Sequence, residues 1–146
     1  MKSTELMRMR TIVTNYKTAN REKLAIQKLL TGNQNKCNLL LDKQQYSKAL
    51  EYEFRINAYQ CELAFRQSEI KEVDLILVFI QKSQKSREYQ MFCEYCFENQ
   101  NQARIASRYN YSNTTTSAII RRIAILFLEY WDKFQDATIG AKDGFK

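Results

Sequence analysis

Apolar residues recur at three- and four-residue intervals along most of this chain, and that spacing predicts helices. In the first stretch Ile12, Tyr16, Ala19, Ile26 and Leu30 fall on one face of a helix expected over residues 4–30, with Lys23 interrupting the stripe. Thr31-Gly32-Asn33 is the expected stop, Gly32 being free to take the positive φ that helix ends favour. From Gln34 to Phe65 a second long segment carries Leu40, Phe54, Ala58, Cys61 and Phe65 along one edge, interrupted by Gln44, Ser47 and Glu51. This imperfect stripe predicts a helical hairpin or an oligomerisation arm. A regular coiled coil would hold apolar a and d positions over three or more heptads.

Ser68 is the next expected boundary, because Glu69 and Glu72 suit the first turn of a following helix, near its positive end. Leu75 to Ile80 is apolar on every side, and the polar helix formers around it favour a buried helix over a buried strand. Ser86 is expected to cap a helix from Arg87 to about Glu98, with Met91, Phe92, Tyr95 and Cys96 inward. Asn101 is expected to cap another, starting at Gln102. On that short helix Ile105, Ala106 and Tyr109 face inward, Asn110 sits where the chain must reverse, and Ser112 opens a last helix with Thr116, Ile120 and Ile123 on one face. Asn suits the reversal because it tolerates the left-handed conformation better than other side chains. Phe127, Tyr130 and Trp131 extend the apolar face through Phe134, and DATIGAKDGFK reads as a frayed tail. The fold class is all-α, with long amino-terminal helices and a carboxy-terminal helix-turn-helix bundle. The expected domains are 1–67, a helical oligomerisation or partner region; 68–135, a DNA-binding domain; and 136–146, a tail.

Composition agrees with long helices: the 146 residues include no proline and three glycines. Hydrophobic residues at 45% and charged residues at 27% support a packed core rather than disorder. The net charge of +7 favours a polyanionic partner. It is unevenly spread: residues 1–66 carry 12 basic and 6 acidic side chains, 67–101 carry 4 and 6, and 102–134 carry 5 and 2. The carboxy-terminal helix pair is therefore basic, and the amino-terminal half more so, which leaves DNA contact from that half open. The longest apolar run, Leu75 to Ile80, is far shorter than the roughly 18 residues of a membrane span. The start MKSTELMRMR lacks the apolar core of a secretory signal, so a cytoplasmic location is expected.

Candidate chemistry is sparse. Without histidine, the usual partner of a nucleophilic serine or cysteine is missing, and no glycine-rich phosphate loop occurs, so no enzyme is expected. Cys93 and Cys96 form a CxxC, but inside an expected helix and without a second pair they read as packing thiols, with no metal and no cofactor. Phe127, Tyr130 and Trp131 read as core, with a partner-binding patch as the other possibility.

The outward face of the last helix is more informative. Asn113, Thr114, Thr115, Ser117, Arg121 and Arg122 offer donors and acceptors without a carboxylate, as a surface facing DNA should. Asn113, Ser117 and Arg121 align at intervals of four, with Thr114 and Ala118 beside them. Base contact is expected from Asn113, Thr114, Ser117 and Arg121, and phosphate contact from Arg104, Arg108, Thr115 and Arg122. The same face also suits an ordinary solvated helix.

Residues Ser86 to Trp131 resemble the sigma-70 region 4-type helix-turn-helix of phage late-gene transcriptional regulators, the ArpU and RinA-like proteins. The resemblance rests on Ile105-Ala106, the turn Tyr109-Asn110-Tyr111-Ser112, and Thr115-Thr116-Ser117 leading to Ile120-Arg121-Arg122. It covers about the last third of the chain. It implies a non-enzymatic activator that binds double-stranded DNA near promoters and works with host RNA polymerase. The family's usual turn glycine is Asn110 here, and an often basic recognition position is Ala118. One short recognition helix limits specificity, so a homodimer or higher homo-oligomer is expected. Two other functions remain open. A small terminase subunit typically places its DNA-binding part first, and a helical interaction protein would have no use for DNA.

Overall fold

The computed structural model describes residues 4–143, with side chains described through residue 137, and every element in it is an α-helix. In chain order these are α1 (Thr4–Asp42), α2 (Tyr46–Ser83), α3 (Ser86–Cys96), α4 (Gln102–Tyr109) and α5 (Asn113–Asp143). The all-α expectation holds, but three expected boundaries do not. Helix α1 passes through Thr31-Gly32-Asn33, since Gly32 takes no positive φ and an isolated helical glycine costs only about 1 kcal/mol relative to alanine. The reversal comes instead at Lys43–Gln45, where Gln44 adopts φ 60° and the N–H groups of Gln44 and Gln45 donate to Leu41 O and Leu40 O. Helix α2 likewise runs through Ser68, and α5 extends through the stretch expected to fray, as far as Asp143. The last three residues of that expected tail lie outside the described residues.

Contacts divide the chain into two compact units, one of Met1–Asn15 with Glu72–Lys146, the other of Tyr16–Lys71. This division differs from the ranges 1–67 and 68–135, because α1 and α2 each contribute to both units.

The Tyr16–Lys71 unit is an antiparallel helical hairpin. Cys37 Sγ donates to Ala49 O at 3.6 Å near the turn, and Arg66 Nε pairs with Glu22 at 2.7 Å farther along, so residue numbers rise on one helix as they fall on the other. Cys37, Leu40 and Ala49 form a buried cluster flanked by Tyr52 and Ile56. The seam on α2 comprises Ala49, Tyr52, Ile56, Tyr59, Leu63, Arg66 and Ile70, all buried or half-buried and spaced alternately three and four apart. On α1 the matching positions are Tyr16, Ala19, Lys23, Ile26, Leu30, Asn33, Cys37 and Leu40. The spacing of buried positions is therefore regular over more than three repeats, although Lys23, Asn33 and Arg66 interrupt its apolar character; Arg66 pairs with both Glu22 and Glu69. The expected edge of Phe54, Ala58, Cys61 and Phe65 is exposed instead.

In the other unit α5 is the central helix. Phe127, Ile120, Ile123 and Ala124 are fully buried on it, with Phe92 and Met91 from α3 and Ile105 from α4 among the other fully buried side chains. The end of α2 is antiparallel to α5, since Gln135 donates to Glu72 at 3.2 Å, Phe79 stacks on Tyr130 at 6.3 Å, and Arg122 reaches Gln84 at 3.4 Å. The start of α1 buries Leu6, Met9, Ile12 and Val13 and pairs Arg8 with Asp132 at 2.8 Å. Leu75 to Ile80 is helical as expected, although Val78 and Phe79 keep substantial exposure. No helix among the described residues is long and apolar enough to cross a membrane.

Candidate nucleic-acid interface

Helices α4 and α5 are joined by a short turn, Asn110 to Ser112, with helix caps on either side. Asn101 caps α4, its side-chain oxygen accepting from Ala103 N at 2.8 Å and Arg104 N at 3.4 Å. At the other end Asn110 adopts the left-handed conformation, φ 61° and ψ 39°, and Tyr111 N donates to Ala106 O at 3.0 Å. Ser112 then caps α5 by accepting from Thr115 N at 3.1 Å, while its hydroxyl donates to Thr115 Oγ1 at 2.9 Å. All three roles match the sequence expectation. At the start of α3 the match fails: the cap position is Lys85, without a side-chain bond, and Ser86 is already helical.

Packing below the turn fixes the crossing of α4 and α5. Ala106 is small and nearly fully buried, and Thr116 is fully buried opposite the exposed face of α5. Gln102 Nε2 donates to Asn113 O at 3.1 Å, tying the two helix starts together. Arg87 of α3 donates to Tyr109 O at 2.9 Å and lies over the rings of Tyr109 and Tyr111, each 5.7 Å from its centroid. Sequence reading missed both Gln102 and Arg87, since neither makes a recognisable motif.

The residues expected to contact bases come together. Asn113, Thr114, Ser117 and Arg121 line one shallow, open depression with Gln102, Ala118, Arg122 and Ile125. No acidic residue occupies the first turn of α5, so the positive end of its dipole is uncompensated there. Acidic side chains nonetheless approach the neighbouring arginines. Glu5 stands 3.8 Å from Arg121, Glu88 is 2.5 Å from Arg122, and Glu94 is 2.6 Å from Arg108. Glu94 also accepts from the Tyr109 hydroxyl at 3.2 Å, and burial together with the Glu94 charge raises the Tyr109 pKa. Among the expected phosphate contacts, then, Arg108 and Arg122 already have anionic partners, Thr115 is part of the α5 cap, and exposed Arg104 makes no ion pair among the described residues.

The CxxC pair lies on α3, and neither cysteine lines this depression. Burial raises the Cys93 thiol and pushes Cys96 up to about 12, so both stay protonated at neutral pH. Among the described residues no group of three or more cysteine or carboxylate side chains is placed to hold a metal ion.

Comparison with protein-family models, with curated proteins and with solved structures finds no match for this chain.

Proposed function

We propose that α4, the Asn110 turn and α5 form a DNA-binding helix-turn-helix, and that the chain is a sequence-specific transcriptional regulator of the phage late-gene type, acting in the host cytoplasm with host RNA polymerase. The observation that carries this reading is the shared exposed face of Asn113, Thr114, Ser117 and Arg121 around one shallow depression, contributed by the first turns of a helix that is fixed from below by Ala106 and Thr116. Rigid support matters because base readout requires side chains held in register with the groove.

In this mechanism the start of α5 enters the major groove. Asn113, Thr114 and Ser117 meet base edges, and Arg121 exchanges its 3.8 Å contact with Glu5 for a guanine, a pairing worth about 1–3 kcal/mol of discrimination. Arg104 and Thr115 meet phosphates, and Arg108 and Arg122 do so by leaving Glu94 and Glu88. With only one such helix face per chain, a second protomer supplies the remaining specificity.

The test is binding of the purified chain to tiled fragments of the genome that encodes it, with excess nonspecific DNA, for the wild type and Arg121→Ala. One preferred fragment, bound about 10–100-fold less tightly by the variant, is the expected result. Equal binding to all fragments by both proteins, or to none, overturns the proposal.

A further inference from the structure

Helix α2 carries two apolar stripes with the same heptad spacing. One is the seam against α1, through Tyr52, Ile56, Tyr59 and Leu63. The other comprises Phe54, Ala58, Cys61 and Phe65, and at about 100° per residue it lies on nearly the opposite side of the helix. It is uncovered: Phe54 is 68% exposed and Phe65 61%, with Ala58 and Cys61 also exposed. Isolated exposed apolar residues need no explanation, but four in heptad register, between Glu51 and Ser68, form a short contiguous apolar face shaped to take a second helix.

The geometry points to a second copy of this chain as the occupant, with the two α2 helices antiparallel. Written as a heptad, Phe54 and Cys61 are d positions and Ala58 and Phe65 are a positions. Antiparallel pairing sets each a against a d of the partner, so Phe54 meets the partner's Phe65 and Ala58 meets the partner's Cys61, large against large and small against small. The two-fold axis repeats both contacts. At the flanking e positions Arg55 then meets the partner's Glu62, again twice, so the charges are complementary to themselves. Parallel pairing would instead put Glu51 against the partner's Glu51 and remove the Arg55 to Glu62 match. Four phenylalanines and their neighbours bury on the order of 1,000 Å², below the range of stable interfaces and in that of weak, reversible ones. A chain that never touches DNA would still pair in this way.

Sedimentation equilibrium of the full chain under reducing conditions, from about 1 to 500 µM, tests this directly. The wild type is expected to dimerise, and Phe54→Ser and Phe65→Ser to weaken the dimer at least about tenfold while circular dichroism keeps its helical signal. Arg55→Glu weakens it too, and adding Glu62→Arg restores it. Under oxidising conditions Ala58→Cys gives a disulfide-linked dimer that Cys61→Ser abolishes. A monomeric wild type overturns the proposal and leaves the stripe to a different partner. A dimer indifferent to both phenylalanine variants overturns the face. Failure of the charge swap to restore pairing overturns the antiparallel arrangement.

Discussion

The guanidinium of Arg87 donates to the carbonyl oxygen of Tyr109 at 2.9 Å, so the first turn of α3 closes the last turn of α4. Helix ends leave carbonyls without an intrahelical partner, and this one is satisfied by a cation placed at the negative end of the dipole. Arg87→Ala is expected to cost about 1 kcal/mol in urea unfolding, the value for one charge-assisted bond at an exposed position. Arg87→Lys should recover only part of it, because a lysine lacks the planar face that covers Tyr109 and Tyr111.

Asn110 sets the angle between α4 and α5 through its left-handed backbone. Replacement by glycine should leave the melting temperature nearly unchanged or raise it slightly. Replacement by valine should cost about 1–2 kcal/mol, the penalty for a branched side chain at positive φ. Equal stability of the two variants by thermal denaturation would show that the turn tolerates another conformation.

Thr116 is fully buried, and its hydroxyl oxygen makes no hydrogen bond among the described residues. Valine has nearly the same shape without the polar atom, so Thr116→Val is expected to stabilise the fold by about 0.5–1 kcal/mol. Denaturant midpoints would check this, and a loss of stability would mean that the hydroxyl has a partner, such as an ordered water.

The four cysteines should differ sharply in reactivity. Exposed Cys61 is expected to react with a thiol reagent at pH 7–8 within minutes, while buried Cys37 reacts only as fast as the fold opens and half-buried Cys96, its thiol pushed up by burial, reacts far more slowly than Cys61. The same burial makes a linkage prediction. Cys96 has its folded pKa raised to about 12, so between the unfolded thiol value near 8.5 and that limit the unfolded state holds fewer protons. Stability therefore falls as pH rises through that window and is unaffected below it. Cys93, raised in the same direction, adds to the slope. Cys96→Ala should flatten the alkaline limb of a stability-versus-pH curve, whatever it costs at neutral pH.

For the proposed DNA complex, acidic neighbours set which arginine is available. Glu5→Gln and Glu88→Gln release Arg121 and Arg122 and should tighten binding by about two- to tenfold at low salt, with a steeper dependence on salt as more phosphate is neutralised. Titrations by fluorescence anisotropy at several salt concentrations would read both quantities. Unchanged affinity in both variants would count against these two arginines as contacts.

Much of the α4 to α5 region was legible because its signals are local: Asn101, Asn110 and Ser112 act on backbone groups within a few residues. The turn and buried stripe of the expected hairpin were not legible, for the opposite reason. Gln44 takes a positive φ that its residue type does not advertise, whereas Gly32 advertises a turn and stays helical. Periodicity could not choose between the two stripes of α2, since both have the heptad interval and similar apolar content. The choice is made by register with α1, where Cys37 and Leu40 meet Ala49. Arg87 and Glu94 were invisible in the same way, because their roles depend on residues brought near by folding.

The short reversal at Lys43–Gln45 also bears on how the hairpin forms. Its contacts are ordered by loop length, from Cys37 with Ala49, only 12 residues apart, outward to Glu22 with Arg66. Each rung shortens the loop that the next must close, so zippering from the turn outward takes the least entropy at every step. With no proline anywhere in the chain, nothing in this sequence waits on a prolyl isomer, and refolding should be free of the slow phase of tens of seconds that such bonds impose.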